Sequence, residues 1–567
     1  MAKPYMALNL LKMSKEKMTA WERFMGLVTL EKKDILQIFY YAIFSGVVAL
    51  SLPLGIQSII NLIQGAQIST SWIVLVVLVT IGVGFAGALG YMQMRIIETM
   101  QQRIFTRSSF DFSYRLPKIK MSEMFNSYPP ELANRFFDTL TVQKGLSKIL
   151  IDVPTALLQI IFALILLSFY HPFFIIFGLL LLILIAVVFK YTAKKGLETS
   201  LEESKSKYKV AHWIQEVARA VTSFKLSGKT SLALSKNDQL VSKFLTARES
   251  HFTILRLQYI QMISFKILVT AGLLLIGGGL VLNQEMNIGQ FVAAEIIILL
   301  VIASVEKLIV SLESVYDVLT SLEKIGTIVD KELEPFQGER PDFSKKFEIE
   351  LKNASYTVPS RDKNILNNIS FKVDTRSRML INGSGGSGKT SLLHLIVGLN
   401  QTTSGYVYIN NHSIDSLYLN YFRAHLGLAL SEETPFEGTI RENITFGDLT
   451  ISDDRIFEVM EKLGLLSYIR DQHQGLNTFL YPEGRQISKT IARKIILARA
   501  IVKRPKCLIL EEPLDEFDPD EMNQISSYLA NPENPWGLIV VSTNPIWKKH
   551  MRQHLFLEDG EVKNLKS

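Results

Sequence analysis

Met379-Leu380-Ile381, Gly383-Ser384-Gly385-Gly386-Ser387-Gly388-Lys389-Thr390 and Ser391-Leu392-Leu393-His394-Leu395-Ile396 form the stretch that decides the fold. The first run reads as a short buried strand and the last as the start of a helix. Between them every fixed position of GxxxxGK[ST] is filled. Glycines let the backbone wrap a phosphate chain with its N–H groups turned inward. Lys389 is expected to reach the β- and γ-phosphates and the Thr390 hydroxyl to hold Mg²⁺. The helix N-terminus at Ser391 favours anions. A chance Gly/Ser-rich turn is the competing explanation, and the flanking strand and helix speak against it. Ser227-Gly228-Lys229-Thr230 serves as a control: Ser223 stands where its first glycine belongs and no apolar strand precedes it, so it reads as a solvated turn.

Outward from this loop the chain changes character. Its 567 residues allow more than one domain, and 48% of them are hydrophobic. The mean hydropathy of +0.20 fits a mixed membrane and soluble chain. The net charge is +7, but Lys and Arg are spread along loops, which argues against a nucleic-acid partner. Cys507 is the single cysteine, so no internal disulfide framework exists. The first thirty residues are polar and amphipathic and do not read as a cleavable signal peptide.

Six long apolar spans are expected before the loop: Leu36 to Ile63 (interrupted by Pro53), Trp72 to Met92, Pro154 to Tyr170, Pro172 to Phe189, Phe265 to Leu282 and Phe291 to Val310. Each is near the ~20 residues that cross a bilayer as a helix. Tyr170-His171-Pro172 makes the third and fourth an antiparallel hairpin. The connections Gln64 to Ser71, Tyr170 to Pro172 and Asn283 to Gly289 carry no Lys or Arg, whereas 93–148 and 190–256 are rich in both. Basic loops stay cytoplasmic, so both termini and the long loops are expected on that side of an inner membrane, with lipid around the spans. Met94 to Leu116 and Lys190 to Val221 read as helical continuations of the spans. Short turns are expected at Pro129 to Ala133 and at Lys209 to Trp213. Glu306 is expected to pair with Lys307 or a neighbour, and Glu295 to line a cavity.

From about Phe347 the composition is that of a soluble α/β domain. Gly438-Thr439-Ile440-Arg441-Glu442-Asn443-Ile444 is followed by Ala498-Arg499-Ala500, then by Arg504-Pro505-Lys506 and Cys507-Leu508-Ile509-Leu510-Glu511-Glu512-Pro513. A buried strand ending in paired carboxylates is where such a domain holds Mg²⁺ and polarises water. On these residues the chain resembles ABC transporters of the exporter type, a six-helix membrane domain fused to one nucleotide-binding domain. A weaker likeness at Asn287 to Ala294 is to type 1 secretion and peptide-exporting members. Many of those carry an N-terminal cysteine peptidase domain; none is seen here, and leader cleavage is not expected. The boundaries are an N-terminal segment 1–34, a transmembrane domain 35–330, a linker 331–346 and a nucleotide-binding domain 347–567, so the fold class is an all-α six-helix membrane domain followed by an α/β P-loop domain.

The resemblance implies ATP and Mg²⁺ as cofactors, held by Gly383, Ser384, Gly385, Gly386, Ser387, Gly388, Lys389, Thr390 and Ser391. Thr390 and Glu511 are the metal ligands it implies and Glu512 the catalytic carboxylate. It also implies a second half-transporter, because each site joins one phosphate loop to the partner's LSGGQ signature. That motif falls on Ile487-Ser488-Lys489-Thr490-Ile491, where Ser488 alone is kept as a nucleotide contact and side chains stand in place of two glycines. The Walker B aspartate position holds Glu511, the Q-loop glutamine falls on Ser431, the switch histidine on Thr543 and the adenine-stacking aromatic on Val358, with Tyr356 nearby; Asp518 matches the D-loop. Loss of one γ-phosphate contact costs on the order of 3 kcal/mol, about a hundredfold in rate.

The expected function is therefore an ATP-binding half-transporter that couples ATP to export of a substrate, with peptide or protein favoured and a periplasmic adaptor among the partners. The alternative is an impaired or regulatory subunit that binds ATP and relies on a partner for hydrolysis. A membrane-anchored scaffold is a third, weaker reading.

Overall fold

The computed structural model describes residues 18–64, 70–125, 127–358 and 363–566; at 177, 181, 182, 184, 185, 187–189, 565 and 566 the description covers the backbone alone. The chain divides into two units, 1–118 with 126–331 and 119–125 with 332–567.

The first unit is helical. Helix α1 (Ala20–Leu30) starts on a capping box between Thr19 and Glu22. Helices α2 (Lys32–Ala49) and α3 (Ser51–Gln64) break where Pro53 has no N–H for the Ala49 carbonyl. Helix α4 (Thr70–Arg115) is unbroken over 46 residues, about 69 Å, far more than a bilayer needs. The short α5 (Met121–Met124) groups with the second unit. Then come α6 (Pro129–Asn134), α7 (Asp138–Ser168), α8 (Phe173–Arg219), α9 (Val221–Leu226) and α10 (Leu232–Gly272). A π-turn at Leu273–Gly277 leads into α11 (Gly278–Leu282), and α12 (Ile288–Val329) follows on a second capping box, Asn287 with Gln290.

Five helical stretches among the described residues are long and apolar enough to cross a membrane. The fourth expected span is the start of α8, where many side chains lie outside the described residues. Ala163 and Leu167 of α7, Phe265 and Val269 of α10 and Ile297 and Val301 of α12 pack into one core. Ile73, Val74, Leu78 and Ile81 of α4 point outward, as a lipid-facing surface requires. A buried polar seam also joins three helices: Gln258 Nε2 donates to Thr192 Oγ1 at 2.9 Å and to the Tyr316 hydroxyl at 3.0 Å.

One expectation for this unit is corrected and another narrowed. Lys209 to Trp213 is no turn but the interior of α8; with no Gly or Pro after Gly196 to interrupt it, the helix runs to Arg219, and Trp213 Nε1 donates to the Ala233 carbonyl of α10 at 3.0 Å. The turn comes at Ala220, ahead of α9. Glu306 is paired as expected, but of the two partners named it takes a neighbour, Lys266 of α10 at 2.6 Å, and not Lys307, because residues adjacent in a helix point apart. The GKT control, at 227–230, is an exposed turn between α9 and α10.

The second unit carries two principal sheets. The strands are β1 (Glu348–Thr357), β2 (Asn364–Asp374), β3 (Arg378–Gly383), β4 (Ser404–Ile409), β5 (His412–Ser413), β6 (Leu426–Ala429), β7 (Gly438–Thr439), β8 (Phe479–Leu480), β9 (Cys507–Glu511), β10 (Gly537–Val541), β11 (Gln553–Glu558) and β12 (Glu561–Lys566). One sheet is antiparallel, in the order β2-β1-β4-β5. The other runs β12-β11-β3-β10-β9-β6 and is parallel except at β12. Helices α13 (Lys389–Ile396), α14 (Leu419–Arg423), α15 (Ile440–Thr445), α16 (Asp453–Lys462), α17 (Leu466–Arg470), α18 (Lys489–Val502) and α19 (Pro519–Ala530) complete it. Continuous apolar runs such as Cys507–Leu510 and Leu538–Val541 are fully buried, as strands covered on both faces must be.

The stretch expected as a linker, 331–346, lies instead almost wholly on this unit. Arg423 forks onto Glu334 at 2.6 and 2.9 Å, Glu339 pairs in backbone register with Leu417, and buried Phe343 stacks on Tyr421. These contacts move the boundary to 331.

Candidate functional site

The parallel sheet brings the C-terminal ends of β3, β6, β9 and β10 to one edge, where ligands of open α/β sheets collect. The loop after β3 is shaped by two glycines with positive φ, Gly386 at +77° and Gly388 at +98°. A Cβ on Gly383 would lie 2.1 Å from the Leu557 carbonyl oxygen, so the strand end admits no side chain there. Ser384, Gly385 and Gly386 are exposed, while Ser387 is buried and its hydroxyl has no hydrogen-bond partner. Lys389 folds back and donates to the carbonyls of Gly383 at 2.9 Å and Ser384 at 2.8 Å. Thr390 and Ser391 follow on the first turn of α13, half-buried.

The carboxylates come from β9. Glu511 Oε1 accepts from the Thr390 hydroxyl at 2.5 Å, and Oε2 accepts from the Ser431 hydroxyl at 2.8 Å and its N–H at 3.2 Å. Glu512 follows at φ +41°, which turns its side chain across to β10. There its carboxylate accepts from the Ser542 hydroxyl at 2.7 Å and the Thr543 N–H at 3.2 Å. Burial pushes the Glu512 carboxyl above the usual glutamate range, and the Ser542 hydroxyl opposes that.

One residue that the sequence reading did not single out holds this edge together. Arg493 of α18 donates to the carbonyls of Leu430, Glu511 and Glu512. Its sequence signal was its place one helical turn after Lys489. Arg499, two turns on, grips Asn443 and lies 3.4 Å from Glu433.

Ser488 caps α18 by accepting from the Ile491 N–H at 3.2 Å; among the described residues no hydrogen bond joins it to the phosphate loop. Lys489 pairs with Glu516 at 2.8 Å, and the Thr490 hydroxyl donates to the Glu516 carbonyl at 3.1 Å. Val358, which holds the position of the adenine-stacking aromatic, and Tyr356 two residues earlier are both buried in the core.

The donor set suits a magnesium nucleotide. Glycines with open backbone, an unpartnered buried hydroxyl at Ser387 and a threonine hydroxyl already turned to a carboxylate are what a phosphate chain and its cation need. No cluster of three or more His, Cys, Asp or Glu able to hold a metal occurs among the described residues. Thr390 and Glu511 would therefore hold Mg²⁺ together with the nucleotide's own phosphates, the usual arrangement for this ion.

Comparison with known proteins agrees with this architecture. The model of the ABC transporter transmembrane region matches residues 35–305, and that of the ABC transporter matches 366–515. The chain is 26% identical over 305 residues to the Alpha-hemolysin translocation ATP-binding protein HlyB of Escherichia coli O157:H7, covering 54% of this chain and 43% of that one. It is 29% identical over 215 residues to the ABC transporter B family member 13 of Arabidopsis thaliana, 38% of this chain and 17% of that one. Matches to the curated relatives span 60% of their length or less. In fold, the chain is similar to a bacterial Atm1-family ABC exporter solved with ATP bound, with a TM-score of 0.83, 16% identity, and 95% and 96% of the two chains covered.

Proposed function

We propose, from the premise that this chain belongs to the ABC transporter family and carries that family's transmembrane region and nucleotide-binding domain in one polypeptide, that it is an exporter half-transporter working as one half of a dimer in the inner membrane. Its long loops and both termini face the cytoplasm. ATP is its energy source, and Mg²⁺ supplies charge neutralisation at the phosphates. Lys389 and the loop N–H groups bind the phosphates, Thr390 and Glu511 position the cation, and Glu512 orients water. The observation that carries this reading is the Thr390–Glu511 bond at the end of β9, which puts a hydroxyl and a carboxylate, groups suited to a divalent cation, beside the phosphate loop. Two relatives named for translocation of alpha-hemolysin and leukotoxin favour a peptide or protein as substrate.

A second reading rests on Lys489. The side chains of Lys489 and Thr490 engage Glu516 of the same domain, where the family signature has glycines. On this reading the chain binds ATP but hydrolyses it efficiently only beside a partner with an intact signature. Reconstitution separates the two. If the chain alone hydrolyses ATP well above a Lys389→Ala control, the second reading fails. If hydrolysis and export require a second half-transporter, the pairing is with a different chain. If neither condition gives nucleotide-dependent transport, the exporter assignment fails.

A further inference from the structure

The helices of the first unit extend well past the length a bilayer spans, and near their far ends α6, α8, α10 and α12 line an open cavity of about 630 Å³. Five cations line it, Arg135, Lys205, Lys209, Lys236 and Lys324, against two carboxylates. Both carboxylates are engaged already: Glu131 with Arg135 at 3.0 Å, and Glu216 with Arg219 at 2.7 Å. Lys209 and Lys324 have no carboxylate within ion-pair distance among the described residues, although Lys324 is only 9% exposed. The Lys236 ammonium sits 4.1 Å over the Trp213 ring, and the Arg135 guanidinium 3.7 Å over that of Tyr208. The Tyr208 hydroxyl donates to Asp138 at 2.5 Å, which fixes this wall. Two of the Arg135 nitrogens, Nε and Nη1, are buried without a hydrogen-bond partner.

Cations drawn together from four elements around one concavity repel one another, and the walls focus their field on whatever enters. We propose that this cavity is a binding site for a small phosphate-bearing polyanion. Its volume is that of an ordinary small-molecule site. Four of the five cations are lysines, which act on phosphate as point charges, and the one guanidinium spends only Nη2 on Glu131 while its plane lies over the Tyr208 ring. Lys324 lies about 54 Å along α12 from Ile288. That is beyond the ~45 Å of a bilayer with its headgroups, so the ligand is soluble rather than a lipid headgroup.

The test is pyrophosphate binding to the full chain in nanodiscs of neutral lipid, on a Lys389→Ala background that weakens the phosphate loop. Failure here is thereby separate from failure of the ATP assignment. The expected result is saturable binding that falls at least tenfold in the Lys205→Gln/Lys209→Gln variant, whose two sites are exposed on α8, and likewise in Lys324→Gln. Absence of binding, or binding unmoved in the exposed double variant, overturns the proposal. Equal displacement by citrate would make the site one for carboxylates, and displacement by vesicles of anionic lipid would give it to headgroups; either overturns it.

Discussion

The Lys489 ammonium lies 2.8 Å from Glu516 Oε1, joining the first residue of α18 to the loop before α19. The Thr490 hydroxyl holds the same residue through its carbonyl at 3.1 Å. Glu516 is itself in left-handed backbone, at φ +71°. Both partners of the ion pair are largely exposed, so the pair adds little stability, in the range of about 0–1 kcal/mol.

A Lys489→Gly/Thr490→Gly variant should therefore stay folded, with its melting temperature lowered by a few degrees through the lower helix propensity of glycine. Its ATPase rate should rise at least tenfold if these side chains block the approach of backbone N–H groups to a phosphate. Steady-state phosphate release together with a thermal melt checks both halves.

The glycines of the phosphate loop are not equivalent. Gly383→Ala places a Cβ 2.1 Å from the Leu557 carbonyl oxygen, where backbone must move, and should cost about 1–3 kcal/mol or more along with nucleotide binding. Gly385→Ala meets nothing within 4 Å and should fold as the parent does. Denaturant midpoints of the two variants distinguish them.

Glu512 makes a pH prediction. Burial raises its carboxyl in the folded chain, so its folded value lies above the unfolded one. The contribution to stability is then fully present below the ordinary glutamate value and is lost as pH rises through the raised one. Glu512→Gln should melt higher than the parent at pH 8, and that gain should vanish near pH 4. Hydrolysis measured beside a second half-transporter, where it depends on ionised Glu512, should decline on acidification earlier than an ordinary glutamate implies.

The strand-loop-helix at Met379 to Ile396 was legible because its chemistry is local: glycine spacing, one lysine and one threonine in sequence. The paired carboxylates at Glu511 and Glu512 were legible for the same reason. Residues that matter through distant partners were not. Arg493 meets carbonyls 18, 19 and 63 positions away. Glu516 meets Lys489 from 27 positions on. Residues 332–346 look like a linker in composition, and distant contacts such as the forked Glu334–Arg423 pair, 89 positions apart, reveal that they are docked. The expected turn at Lys209 was misplaced because apolar and charged residues at helical spacing continue through it, and no breaker marks where α8 ends.

Lys266 and Glu306 join two membrane helices at 2.6 Å. Removing one charge strands the other in a region poor in partners, whereas removing both does not. Lys266→Met should destabilise the chain in lipid, and adding Glu306→Gln should recover most of the loss. Thermal unfolding in nanodiscs of the single and double variants measures the difference.

On the proposed reading this chain grips Mg²⁺-ATP through Lys389, Thr390 and Glu511 more securely than it turns that nucleotide over alone. The most direct measurement is ATP affinity and steady-state hydrolysis on the same purified chain in lipid, beside Lys389→Ala. Mg²⁺-dependent binding should weaken about tenfold to a hundredfold in the variant, the worth of a charged hydrogen bond, with hydrolysis by the parent alone close to the control. Equal affinity in both proteins, or brisk hydrolysis by the parent without a partner, would contradict that reading.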